Sequence, residues 1–260
     1  MKVQPFFHME TGSLTYVVSD SGYALIVDPV LDYKDGEISY NHVDSVLEYI
    51  VQKGLDLRLV LETHIHADHL SASQYVKDIT GAKSVISAKI KEVFNQWKAK
   101  LNLKSLASFD FFVDSHSRIQ FGSKFIEVIE TPGHTPACIT YKIDDHVFVG
   151  DTLFAPDKGT SRADFPGASA TELFHSIKKL YQLPRETNVY LCHDYPPLGA
   201  APTSCVKLES QKRRNVMLSQ NTSLSEYIFM RDRRDQLLKE PKLLNVAIPF
   251  NLTYLLPAKR

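Results

Sequence analysis

The sequence predicts an α/β fold in which two β regions are covered by helices, in two similar halves. Three observations support that expectation. Strand-like runs rich in Val, Ile, Leu, Tyr and Phe alternate with segments whose apolar residues recur at helical spacing. The order is strands, helix, strand, helices, strands, helix, strand, helices. With 260 residues, 43% of them apolar, the chain can bury a large core without a disulfide or metal staple. No Gly/Ser-rich linker and no short repeat interrupts it. The length allows one or two domains, and the residues from about 201 read as a basic helical tail.

Residues 14–19 and 23–30 read as two strands joined by the turn Asp20-Ser21-Gly22. Val43, Val46, Leu47, Ile50 and Val51 share one helical face, with Asn41 at the N-cap and Gly54 at the far end. Residues 55–63 form a strand whose Leu55, Leu57, Leu59 and Leu61 are expected on one face. A helix over 71–80, closed by Gly81, leads to a strand at 84–87 and a helix at 90–100. Residues 109–113, 118–121 and 125–130 read as strands of the second β region, and 139–143 and 147–149 as a hairpin around Asp144-Asp145. Leu173, Phe174, Ile177 and Leu180 mark a helix with Ser169 as its N-cap, and residues 188–192 a short strand. Two basic helical stretches follow at 206–218 and 224–238. The second opens on the capping box Ser223-x-x-Glu226.

Composition excludes several function classes. Thirty Lys and Arg balance thirty Asp and Glu, so the formal net charge is zero, which argues against a nucleic-acid or other polyanion partner. No apolar run reaches the roughly 18 residues of a membrane span. The start, Met1-Lys2-Val3-Gln4-Pro5-Phe6-Phe7-His8, has the form of neither a secretory signal nor an Arg-rich transit peptide. Cys138, Cys192 and Cys205 are an odd set without a C-x-x-C pair, which suits a reducing compartment. The expected location is the cytoplasm. The unusual count is histidine, at ten.

The strongest motif is Thr63-His64-Ile65-His66-Ala67-Asp68-His69 at the end of a predicted strand. Residues two apart in an extended segment project to the same side, so His64 and His66 can converge, with Asp68 and His69 just beyond. Four such donors in six residues form half of a metal site. The other half is expected from three loops, each just past a strand. They hold His134 in Thr131-Pro132-Gly133-His134-Thr135-Pro136, Asp151 after Val149-Gly150, and His193 after Leu191-Cys192. His8, His42, His116, His146 and His175 lack ligand spacing and read as structural or surface residues.

The series His64-x-His66-x-Asp68-His69, His134, Asp151 and His193 resembles the metallo-β-lactamase superfamily over roughly residues 10–200. The resemblance implies an αββα sandwich, two mixed sheets flanked by helices, with the metal site at one edge. Narrower segments are similar to the persulfide dioxygenases, and closest to the bacterial branch labelled β-lactamase hydrolase-like. They are His66-Ala67-Asp68-His69-Leu70-Ser71-Ala72, the stretch from Thr131 to Cys138, Gly150-Asp151-Thr152-Leu153-Phe154, the stretch from Gly159 to Gly167, and His193-Asp194-Tyr195-Pro196-Pro197.

That branch implies oxidation of glutathione persulfide by O2 to sulfite and glutathione. It implies one Fe(II) per chain, held by His64, His134 and Asp151. His66, Asp68, His69 and His193 would surround the site without holding a second metal. Two histidines and a carboxylate leave open positions for O2 and a sulfur. Arg162 resembles the family's substrate-side arginine, whose fork would take a glutathione carboxylate, and Tyr195 a residue beside the sulfur site. Lys212, Arg213 and Arg214 read as a solvated helix face. Ser161 and Ala200 depart from the family pattern on the glutathione side. Relatives of this kind are often dimers or tetramers, and some carry a fused rhodanese domain. Residues 1–260 are spent on one domain, so a sulfurtransferase partner would be a separate protein.

Two alternatives stay open on the sequence. One is a zinc hydrolase of a thioester, in the manner of glyoxalase II, or of a lactam or lactone. It would use one or two Zn(II), with His66, Asp68, His69 and His193 as second-metal ligands. The other is a non-catalytic metal-binding or sulfur-sensing module, against which no ligand position is missing.

Overall fold

The protein is described from a computed structural model covering residues 1–197 and 199–257. A first six-stranded sheet has the order β1-β2-β3-β6-β8-β9, from Lys2–His8, Ser13–Asp20, Tyr23–Val27, Asp56–Leu61, Lys83–Ser87 and Phe111–Val113. Between its third and fourth strands lie β4 (Val30–Lys34) and β5 (Glu37–Ser39). With β7 (Leu70–Ser71) they form a small three-stranded sheet. The second six-stranded sheet runs in chain order from β10 to β15: Arg118–Phe121, Lys124–Glu130, Ile139–Ile143, His146–Phe148, Asn188–Tyr190 and Cys205–Lys207. Among the described residues, seven α-helices cover them: α1 Asn41–Gln52, α2 Ser73–Thr80, α3 Ile90–Leu101, α4 Ala170–Leu180, α5 Leu208–Arg214, α6 Leu224–Asp235 and α7 Leu244–Thr253.

Strand alternation explains the layering. Along β2, Leu14, Tyr16 and Val18 face the core between the sheets, and Val17 faces the helices outside. In β3, Leu25 and Val27 point inward while Ala24 and Ile26 meet α1. The inner core takes Ile126, Val128, Ile139, Tyr141 and Ile143 from the second sheet and continues under α4 through Leu173, Ile177 and Leu180. Val43, Val46 and Ile50 of α1 and Val76 of α2 seal the outer face of the first sheet, and α3 packs beside them through Ile90, Val93 and Trp97. The result is helices, sheet, sheet, helices, the expected αββα sandwich.

Several expectations are corrected in detail. Leu55, Leu57, Leu59 and Leu61 do not share a face. The pairing of β3 with β6 shifts between Ala24 and Leu25, so that Arg58 is an extra residue. The bulge flips the alternation, sending Leu59 and Leu61 into the inner core and leaving Leu55 and Leu57 on the α1 side. The strand expected over 23–30 breaks at Asp28, whose φ of 48° precedes Pro29. Residues 111–113 join the first sheet, parallel to β8, rather than the second, because the α3 crossover returns the chain beside β8. The stretch at 206–218 begins as β15 before its helix.

The small sheet of β4, β5 and β7 lies outside the sequence expectation, as do β1 and α7. β1 contains Pro5, which an edge strand tolerates. α7 contains Pro249 and is apolar almost all round, the pattern of a buried helix. Where expected, Ser169 caps α4 by accepting from the Glu172 amide, and the Ser223–Glu226 capping box opens α6. Among the described residues, no helix is long and apolar enough to cross a membrane.

Candidate metal centre

Four loops meet at one end of the sandwich. Residues 62–69 follow β6, 131–138 follow β11, 149–152 follow β13 and 191–197 follow β14. Each leaves the carboxyl end of its strand, the usual position of sites in α/β folds. The loops bring all seven expected donors together. His64, His66, His69, His134 and His193 are buried, and the Asp151 carboxylate is only 12% exposed.

Asp151 stands between two sets of donors. Its Oδ2 lies 3.9 Å from His64 Nε2 and 3.6 Å from His134 Nε2. Its Oδ1 lies 3.3 Å from His193 Nε2, which is also 3.4 Å from Asp68 Oδ2. His69 Nδ1 sits 3.5 Å from Asp68 Oδ2, and the His64 and His66 rings are 4.0 Å apart between centroids. A short helical turn, Gly150–Thr152, aims Asp151 at this point. Gly150, at φ 51°, lets that turn lie on Thr63, where any Cβ would collide with the Thr63 side chain.

The outward nitrogens of the histidines are anchored. His134 Nδ1 donates to the Arg162 carbonyl at 2.9 Å. The Thr63 hydroxyl donates to Asp28 Oδ2 at 2.8 Å, so it accepts from His64 Nδ1 at 3.0 Å. His66 Nε2 faces two carboxylates, Asp28 Oδ1 at 3.3 Å and Glu62 Oε2 at 3.5 Å. For His64 and His134 these partners leave the Nε2 lone pair directed inward.

The inward atoms supply the test for a metal. His64 Nε2, His66 Nδ1, His69 Nε2, His193 Nε2 and Asp151 Oδ1 are buried without a hydrogen-bond partner. A buried polar atom without a partner costs about 1–3 kcal/mol, and several converging on one point fit a cation. His64, His134 and Asp151 offer donor atoms within 4.8 Å of one another, as do His66, Asp68 and His69. Imidazole nitrogens and carboxylate oxygens suit iron or zinc.

The electrostatics divide the histidines, with His64 and His69 lowered and His66 and His193 raised. Burial, reinforced by neighbouring His66, pushes His64 down and keeps it neutral, and the same causes bring His69 to about 4. Burial alone would raise Asp151, but His193, His64 and His134 outweigh it and hold the carboxyl far below its ordinary range. Burial likewise opposes charge on His66, yet Asp28 and Glu62 overcome it and push His66 upward.

A cleft of about 610 Å³ opens onto the cluster, with Phe154, Phe165, Tyr195 and Arg162 in its walls. Arg162 stands there with its fork already spent. Nε and Nη2 meet the two oxygens of Asp164 at 2.6 and 2.7 Å, Nη1 donates to the Lys239 carbonyl at 2.9 Å, and the guanidinium lies over Phe165. Tyr195 is exposed, its ring parallel to that of His193 at 6.3 Å. Lys212 is buried against the Leu183 carbonyl rather than solvated, while Arg213 and Arg214 are exposed as expected, and none of the three reaches the cleft. Ser161 lines the cleft and Ala200 is exposed.

Asp28 and Glu62 are the residues that sequence reasoning missed. Each is a lone carboxylate at the apolar end of a strand, Ala24-Leu25-Ile26-Val27-Asp28 and Leu59-Val60-Leu61-Glu62, and that placement was the available signal.

Comparison with known proteins agrees with this geometry. The profile described as "Metallo-beta-lactamase superfamily" matches residues 9–193. A "Beta-lactamase hydrolase-like protein" of Agrobacterium fabrum is 39% identical over 96% of this chain. The chain spans 60% of that relative's length. "Glyoxylase B2" of Dictyostelium discoideum is also 39% identical, over 97% of this chain and 89% of its own. "Persulfide dioxygenase ETHE1, mitochondrial" of Bos taurus is 28% identical over 96% of this chain and 87% of its own. Among solved structures, ETHE1 from Myxococcus xanthus superposes with a TM-score of 0.79 at 30% identity, covering 96% of this chain and 98% of that one. The chain belongs to the metallo-β-lactamase superfamily.

Proposed function

We propose that this chain is a non-haem Fe(II) persulfide dioxygenase that converts glutathione persulfide, O2 and water to glutathione and sulfite. The observation that carries the reading is its likeness, along nearly the whole chain, to a protein named persulfide dioxygenase and to a solved ETHE1 structure. His64, His134 and Asp151 are the proposed iron ligands, two imidazoles and one carboxylate on a common face. Iron held there would supply redox chemistry and open positions at which O2 and a sulfur can meet.

The protein's own part is to bind, orient and move protons. His66, Asp68, His69 and His193 surround the ligands and carry protons to and from the reacting sulfur. Phe154 and Phe165 wall the cleft and limit water around it. Tyr195 stands beside His193 at the mouth, where the persulfide enters. Arg162, paired with Asp164, fixes His134 through its own carbonyl and borders the path of the glutathione moiety.

One observation favours a second reading. Asp151 presents its other oxygen to His193, and Asp68 and His69 complete a second donor set. That arrangement suits a binuclear zinc hydrolase of a thioester, lactam or lactone, and one relative is named a glyoxylase. The deciding experiment loads the protein anaerobically with Fe(II), then measures metal content, O2 uptake with glutathione persulfide, and sulfite. One iron per chain and one sulfite per O2 are expected. Two zincs per chain, with cleavage of lactoylglutathione and no O2 uptake on the persulfide, overturn the proposal.

A further inference from the structure

The loop that carries His64, His66, Asp68 and His69 has no regular structure between Leu61 and Leu70, yet His66, His69 and Ser71 are buried. Buried backbone groups need partners. Three of them find one in a single side chain far along the sequence. Asn251, on α7, is 2% exposed. Its amide nitrogen donates to the carbonyls of both His66 and His69, each at 2.8 Å. Its Oδ1 accepts from the Ser71 amide, also at 2.8 Å.

We propose that Asn251 is a positioning residue for the metal centre, a clamp through which the C-terminal helix sets the shape of the donor loop. Both donors and the acceptor of one planar amide are spent on residues 66, 69 and 71, so the amide fixes the span from His66 to Ser71. A carboxamide is the only neutral side-chain group of this size with two donors and an acceptor. Asp would turn an acceptor toward the two carbonyls, and Leu would leave all three backbone groups bare. The seat of the amide is rigid. Phe250 and Ala247 of α7 pack with the α1 and α2 cluster, and Leu244, Ile248 and Leu252 pack against α3.

The inference rests on the metal-centre reading, and not on the choice of substrate. Its test is a titration of metal-free wild type and Asn251→Leu with Fe(II), and separately with Zn(II), reading affinity and stoichiometry. Circular dichroism and the thermal midpoint are followed in parallel. Phe250→Ala, which weakens the packing of α7 and leaves the Asn251 carboxamide in place, is the control. Asn251→Leu should lose about tenfold or more in metal affinity, the size of outer-shell effects on metal sites. Hydrogen exchange at the Ser71 amide should accelerate. Phe250→Ala should lower the midpoint and leave affinity within about twofold, well short of such an effect.

If Asn251→Leu does not fold, Asn251→Ser, too short to reach both carbonyls, takes its place. Affinity in the Asn251 variant equal to wild type overturns the clamp, as does a loss matched by Phe250→Ala. A wild-type protein that binds neither metal overturns the metal-centre reading instead, which keeps the two failures apart.

Discussion

The two ends of the sandwich are built from opposite kinds of connection. At one end the strands turn tightly, at Ser21-Gly22 between β2 and β3, Gly122-Ser123 between β10 and β11, and Asp144-Asp145 between β12 and β13. At the other end the loops after β6, β11, β13 and β14 are longer or irregular and hold the donors. Each end has an aspartate with little exposure. Asp20 accepts from the Ser123 amide and hydroxyl, each at 2.8 Å, and so ties the two sheets together. Asp151 keeps a buried oxygen without a hydrogen bond. The same residue type is fully satisfied where it holds the fold, and under-satisfied where it faces the cluster of donors.

That contrast can be broken by exchanging what each end depends on. The largest effect is expected from Asp151→Ala, which removes the carboxylate shared by both donor sets. Metal affinity should fall by more than about 100-fold, the upper range for outer-shell changes. O2 uptake should vanish, with the circular dichroism spectrum unchanged. Retained metal at wild-type affinity would remove Asp151 from the centre.

Next comes Asp28→Asn, which weakens the hold on Thr63 and His66. A drop of about 10- to 100-fold in metal affinity is expected in titration, with a smaller change in thermal midpoint. A change in midpoint alone would assign Asp28 to the fold.

At the far end, Gly122→Ala should cost more than about 1 kcal/mol in denaturant unfolding. The residue has φ 57°, and an added Cβ would press on Asp20. Metal affinity should stay at the wild-type value. Coupled loss of metal would show that the two ends are not independent.

The smallest effect concerns acid. The Ser123 amide leads the causes that lower Asp20 from 3.8 to about 2. A carboxyl depressed on folding stabilises the protein fully above its unfolded pKa, and that stability is lost as pH falls through the folded value. Asp20→Asn should therefore unfold more readily than wild type near neutrality, and the gap should close between about pH 4 and about pH 2. A gap independent of pH would mean that the serine hydrogen bonds, and not the charge, hold the latch.

Much of the fold was legible in the sequence, and the reasons are local. Val43, Val46 and Ile50 sit at helical spacing because one face of α1 must be buried. Ser169 and Ser223 mark helix starts because their hydroxyls complete the first turn. The edges of legibility are also physical. Pro5 and Pro249 disguise a strand and a helix, because an edge strand and a buried helix tolerate what an isolated segment would not. The bulge at Arg58 leaves no mark in composition, since it depends on which strand lies alongside.

The donor residues were legible for a further reason. A metal needs several ionisable groups at one point, and His64, His66, Asp68 and His69 are conspicuous in a chain of ordinary composition. Which way each ring faces was not legible. Asp28, Glu62 and Asn251 act from 35 residues or more along the chain, or as lone polar groups in apolar runs. Nor was it legible that Asp164 lies across the fork of Arg162 at hydrogen-bond distance.

By itself, then, the sequence marked most of the strands and helices and the seven candidate donors, because these follow from periodicity and residue chemistry, while the αββα layering came with the resemblance to the superfamily. The tertiary structure alone decided that Asp151 stands between two donor sets, that two buried carboxylates turn His66, and that the last helix clamps the first metal loop. Those are distances between residues remote in the chain, and only packing sets them.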